Sequence, residues 1–237
     1  MQVQNNKEEV PFEHYAEKFR AIDPQAAAWR TGAAFDEAAG VFTLTLLGDV
    51  YRISWPEYAI SSDNERAPAL KSLPCQTFLL RFLLEGRRAE PYSAFKTFRE
   101  MPWGEMYIQP YTGRCLTRAA FTFGTRVAKF RAACEKMGAQ ALNHGDAGFQ
   151  FTLLPGYDMQ IMVWEGDEEF PPNAQILYSA NFETGFAAED RVVAGDILIS
   201  AIRRRCKAFT AAVKAPSLCE GNGCKGSWPT PGQEEKK

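Results

Sequence analysis

The side chains best equipped for chemistry are acids. Asp146, the corner holding Asp167 and Glu169, and Asp190 lie at three separate places in the second half of the chain. A hard cation asks for several such oxygen ligands, so these four are the candidate metal ligands, although their spacing does not follow an EF-hand. Trp164 stands next to Glu165 and close to Asp167. An apolar wall of that kind drives the pKa values of neighbouring carboxylates apart, which is what paired acid–base work requires. Trp164, Asp167 and Glu169 form the candidate cofactor-binding group. A plainer account of the same residues is that Gly145–Asp146 and Glu165–Gly166 shape turns. The sequence carries no nucleophile motif, phosphate loop or zinc signature, so no catalytic residue is assigned.

Charge is segregated along the chain. Between Met137 and Asp190 there are nine acids and no Lys or Arg, whereas Asn64 to Lys136 holds thirteen basic residues against six acids. Either the two blocks fold face to face and neutralise one another, or the acids converge on a cation or cationic ligand. A basic run at Arg114, Arg118, Arg126, Lys129, Arg131 and Lys136 suits phosphates, but no nucleic-acid motif accompanies it. Cys219 and Cys224 sit in a Gly-rich tail at C-x4-C spacing, short of a four-ligand metal set. Cys75, Cys115, Cys134 and Cys206 fall in or beside helical patterns and read as small buried thiols. His14 has no second His or Cys near it in sequence and reads as a packing or surface residue.

The acids are positioned by one stretch, Gly145 to Pro172. It reads as a hairpin with arms Phe149–Leu154 and Tyr157–Trp164 about a Pro155–Gly156 turn. A first hairpin is expected from the alternating runs Val41–Leu47 and Val50–Trp55, with 56–60 as an edge strand and 61–64 as a loop. Asp23–Pro24 starts a short helix with Asp as N-cap, after a helix over 11–20. Helices are further expected at 73–85, over 116–137 as one continuous stripe, and at 189–206. Strands are expected at 106–109 and at Ala174–Tyr178, and a loop over 181–185. The fold class that follows is α+β: a single domain whose mixed, largely antiparallel sheet is packed by three main helices. Residues 1–10 are expected to be a disordered N-terminus, 11–210 the domain and 211–237 a flexible Pro/Gly-rich tail.

The pieces Gly145–Asp146–Ala147, Leu154–Pro155, the run 161–170 (IMVWEGDEEF), Ala174–Leu177 and Ala188–Glu189–Asp190 resemble a family of unknown function, domain-of-unknown-function family 3786. The corner Met101–Pro102–Trp103–Gly104 and the helix Phe78–Leu84 match it as well, so the resemblance spans residues 12–206. It implies an accessory place in the one-carbon or cofactor metabolism of anaerobic bacteria and archaea, beside iron–sulfur or corrinoid partner proteins. It brings no catalytic residues.

Composition narrows the rest. The chain has 237 residues, 46% of them hydrophobic, and a net charge of −2. That is enough to bury one sizeable core, and it argues neither for nucleic acid nor for a membrane surface as partner. A polar N-terminus and the lack of a long apolar run lead to the expectation of a soluble, cytoplasmic protein. The leading expectation for function is a non-enzymatic small-ligand, cofactor-binding or accessory module of unknown cofactor. A carboxylate-dependent, metal-assisted enzyme and a protein–protein interaction domain without ligand are the alternatives.

Overall fold

The computed structural model describes residues 8–214. Helix α1 (Glu9–Arg20) leads into α2 (Pro24–Thr31), where the Asp23 carboxylate accepts hydrogen bonds from the backbone N–H groups of Gln25 and Ala26 at 2.9 and 3.2 Å. Two of the donors that every helix start leaves open are thereby satisfied, as the Asp–Pro pair predicts. The first alternating runs become a four-stranded antiparallel meander: β1 (Ala34–Asp36), β2 (Val41–Leu46), β3 (Asp49–Ser54) and β4 (Ile60–Ser62). Along β2 every second side chain is buried, Phe42, Leu44 and Leu46, so period-two patterning decides which face meets the core. The Leu47–Gly48 turn has positive φ at both residues, the twist a two-residue hairpin needs. The loop expected at 61–64 instead begins as β4, and the edge strand expected at 56–60 reaches the sheet only at Ile60.

Helix α3 (Leu73–Glu85) is buried on most sides, and Cys75, Phe78, Leu79, Leu80, Phe82 and Leu83 line its inward faces. After it come β5 (Phe95–Thr97) and α4 (Gly104–Tyr111). The strand expected at 106–109 is thus helix. Trp103, in a left-handed conformation at φ 63°, turns the chain so that Gly104 opens the helix, a local event that apolar periodicity does not report. Pro110 removes one N–H from that helix, and the next turn widens to π geometry over Thr112–Thr117 before α5 (Arg118–Phe123).

The apolar stripe read over 116–137 does face the core, but not on one helix. It breaks at Gly124 into α5 and α6 (Val127–Lys136). A Cβ at Gly124 would meet Pro172 Cβ at 2.5 Å and the Trp164 carbonyl at 2.8 Å, so the loop after Trp164 is packed into the break.

The second sheet is five-stranded and antiparallel in the order β5-β9-β8-β7-β6. Its strands are β6 (Gln140–Leu142), β7 (Ala147–Leu154), β8 (Tyr157–Trp164) and β9 (Asn173–Ser179), besides β5. The Pro155–Gly156 turn is present, with Gly156 at φ 84°. β8, the nearly continuous apolar arm, sits between β7 and β9 at the centre of the sheet. A short helix α7 (Phe182–Gly185) occupies the loop expected at 181–185, and α8 (Ala188–Lys214) closes the described chain.

The two sheets meet where the Leu47 N–H donates to the Leu153 carbonyl at 2.9 Å. Side chains from both sheets and from helices α1 to α8 form one buried cluster, an α+β single domain. Cys75, Cys115 and Cys134 are buried free thiols and Cys206 is half-buried. Burial pushes Cys75 and Cys115 up to about 12. Cys219, Cys224 and most of the expected tail lie outside the described residues.

Candidate functional site

The four candidate acids do not come together. Asp146 ends the turn before β7, and its Oδ2 accepts the Glu165 N–H at 2.7 Å, which ties the start of β7 to the end of β8. Asp167 Oδ1 accepts the N–H groups of Glu169 and Phe170 at 2.9 and 2.7 Å, and these backbone hydrogen bonds hold its pKa down. Glu169 is exposed, and Trp164 is partly exposed at the rim of the same loop. All of these lie at the Trp164–Asn173 end of the second sheet. Asp190 follows from its other end, past Ser179, so the length of β9, roughly 20 Å, separates them. Among the described residues no three His, Cys, Asp or Glu side chains are grouped to hold a metal ion.

Asp190 belongs to a different place, a cleft at the start of α8 walled by α1, α3 and α4. Its cavity of about 570 Å³ is lined by apolar surface from Pro74, Phe78, Pro110, Val192 and Val193 and by a few polar groups. Arg81, from the inner half of α3, supplies the cation. Its Nε lies 3.0 Å from Asp190 Oδ1 and its Nη1 3.3 Å from Glu189 Oε2. The Nε–carboxylate contact is not aligned as a hydrogen bond, so charge rather than N–H direction holds that pair. Tyr107 Oη donates to Glu189 Oε1 at 3.2 Å, and the Tyr15 ring lies 5.1 Å from the Arg81 guanidinium.

Burial pushes the Asp190 carboxyl up to about 6, against the downward pull of Arg81 and of a backbone hydrogen bond at Ala187. The guanidinium answers the same pairing in the opposite sense. Burial works against its charge, yet Asp190, Tyr15 and Glu189 push its pKa up. Asp190 is the more enclosed partner, with 10% of its side chain exposed against 14% for Arg81, and Glu85 and Glu189 add like charge to it. The upward direction for Asp190 therefore stands. Its hydrogen bond back to Ala187, three residues before it, also closes the first turn of α8.

Behind this pair a second cavity, of about 360 Å³, shares Arg81 and Asp190 and is bounded by Phe186, Pro102 and Trp103. Trp103 is 69% exposed despite its left-handed backbone. At the back stands Arg191, 1% exposed, with Nη2 donating to the Pro102 carbonyl. Its guanidinium lies 5.9 Å from the Phe98 ring, and Nε and Nη1 find no hydrogen-bond partner among the described residues. The sequence reading named Asp190 and missed Arg81, Tyr107 and Arg191. For Arg191 a signal existed: it precedes the buried Ala194, Leu198 and Ile202 at helical spacing, on the stripe that faces the core.

Among the described residues the basic and acidic blocks meet at three of the nine acids: Arg81 pairs with Glu189 and Asp190, and Lys96 Nζ lies 2.6 Å from Glu183 Oε1. Arg114 and Arg118 pair instead with Asp196, just beyond the acidic block.

These features define an α+β domain of two antiparallel sheets, with a helix-walled cleft around a buried Arg–Asp pair. The chain belongs to the domain-of-unknown-function family DUF3786, whose profile matches residues 23–201. That span holds both sheets and the cleft residues on α3, α4 and α8. Comparison with curated proteins and with solved structures returns no match.

Proposed function

We infer that this chain is a non-enzymatic binding or accessory module that seats a small ligand in the cleft at the start of α8. The observation that carries this reading is the pair of cavities, about 570 and 360 Å³, that share Arg81 and Asp190. A concave, mostly apolar space with a few convergent polar groups and one carboxyl of perturbed pKa is the usual form of a small-molecule site. The apolar wall at Phe78, Val192 and Val193 takes the body of the ligand; Arg81, Tyr107 and Glu189 orient its polar end. The family resemblance adds the setting, an accessory role in anaerobic one-carbon or cofactor metabolism beside an iron–sulfur or corrinoid partner. No helix of the described residues is long and apolar enough to cross a membrane.

The test uses methyl and amide NMR on the full chain with indole and benzamide as probes. Shifts are expected at Thr77, Val192 and Val193, and Val193→Phe, which fills the cavity, should abolish them. Shifts confined to other surfaces, or unchanged in Val193→Phe, would remove the cleft from consideration. A second reading, a carboxylate-dependent enzyme, is favoured by one observation: a carboxyl at about 6 can both give and take a proton near neutrality.

A further inference from the structure

Further along α8 lies a second concavity, which shares no lining residue with the Asp190 cleft. It encloses about 440 Å³ between the β2–β3 turn, the segment 64–71, the end of α6 and the α8 residues 201–205. Five of its side chains are cationic: Arg66, Lys71, Lys136, Arg204 and Arg205. Its one acid, Asp49, is engaged, since Oδ1 accepts the Asn64 Nδ2–H at 2.7 Å. Among the described residues, Arg66, Lys71, Arg204 and Arg205 take part in no ion pair. Elsewhere in the basic block Arg81, Lys96, Arg99, Arg114 and Arg118 find acids, so what sets this hollow apart is that its cations are gathered in one place.

Two segments, 64–71 and the α8 stretch 204–205, thus bring unpaired cations to one hollow, where like charges repel one another. The hollow has the volume of a small-molecule site, and its floor of Leu47, Pro68, Met137 and Ala201 is apolar. Arginine forks and lysine ammonium groups together match the oxygens of phosphoryl groups, and several cations match more than one such group. We propose that this cavity binds a small molecule carrying two or more phosphoryl groups, held by Arg66, Lys71, Arg204 and Arg205. The site is independent of the Asp190 cleft and of the ligand inferred there.

The experiment titrates the full chain with pyrophosphate by calorimetry, with sodium sulfate at matched ionic strength as control. Pyrophosphate is expected to bind one site, more tightly than sulfate, with an affinity that falls as salt rises. Arg204→Gln/Arg205→Gln should weaken it by about tenfold or more, and Lys71→Gln, on a different segment, should weaken it as well. Arg87→Gln, an exposed cation outside the cavity, should leave it unchanged. Removing like charges should hold or raise the melting temperature of the free double variant, so lost binding is not lost folding. Equal binding of sulfate, no binding at all, or a double variant that unfolds while Lys71→Gln binds normally would each overturn the proposal. So would a single-stranded oligonucleotide that binds the chain and resists displacement by pyrophosphate, since the surface would then be a polymer track.

Discussion

Asp190 is pulled two ways, and pH separates the pulls. Its carboxyl is pushed from 3.8 up to about 6, so the folded state holds the proton more tightly than the unfolded chain does. Stability from this group is therefore fullest at low pH and is lost as pH climbs through that window, by ~3 kcal/mol in all. The check is urea unfolding of wild type and Asp190→Asn at several pH values. The stability advantage of the wild type should shrink by about 2–3 kcal/mol between pH ~4 and ~7. An advantage that grows with pH would mean that Arg81, not burial, governs the carboxyl. Arg191 makes a second residue-scale case. Its charge is buried with two of its nitrogens unmatched among the described residues, so Arg191→Met, which keeps the bulk, should hold or raise the melting temperature. A loss of more than about 2 kcal/mol would show that the Pro102 bond and the Phe98 ring outweigh the buried charge. The burial of Arg191 could have been read from its helical spacing with Ala194, Leu198 and Ile202, but that of Asp190 could not: it showed as a candidate metal ligand, and its enclosure depends on α3, a hundred residues earlier.

At the level of elements, patterning was legible wherever one residue's period decides the structure. The cap at Asp23, the turn at Pro155–Gly156 and the strand 174–178 all came from local chemistry. The break in the long stripe was decided from a distance. The continuous stripe over 116–137 gave no hint that the loop after Trp164 would be packed against Gly124. Gly124→Ala measures the point directly. In an unbroken exposed helix, alanine would stabilise by up to about 1 kcal/mol. Here its methyl meets Pro172 and two backbone carbonyls, and a loss of about 1–3 kcal/mol in urea unfolding is expected. A gain would return the two helices to one. The strand misread at 106–109 has another origin, a local left-handed turn at Trp103 that apolar periodicity does not report.

Across the whole molecule the charge split was legible and its outcome was not. The counts allowed either mutual neutralisation or a cation site, and the acids of 183–196 turn out to face arginines and a lysine of the preceding block. Both sheets and all the helices share one buried cluster, with α8 packed against α3 and α6. Thermal unfolding should accordingly be a single transition, with far-UV circular dichroism and tryptophan fluorescence coinciding. Two separated transitions would divide the sheets into independent units. The sheets also share a boundary design. Their four outermost strands, β1, β4, β5 and β6, are three residues each, beside inner strands of six to eight. Three residues present too few free N–H and C=O groups to template another chain. The long, greasy arm of the second hairpin, which in isolation has the composition of a fibril-forming segment, is sealed at the centre of its sheet. A concentrated solution of this protein should therefore resist seeded growth of cross-strand polymers so long as the short rims stay in place.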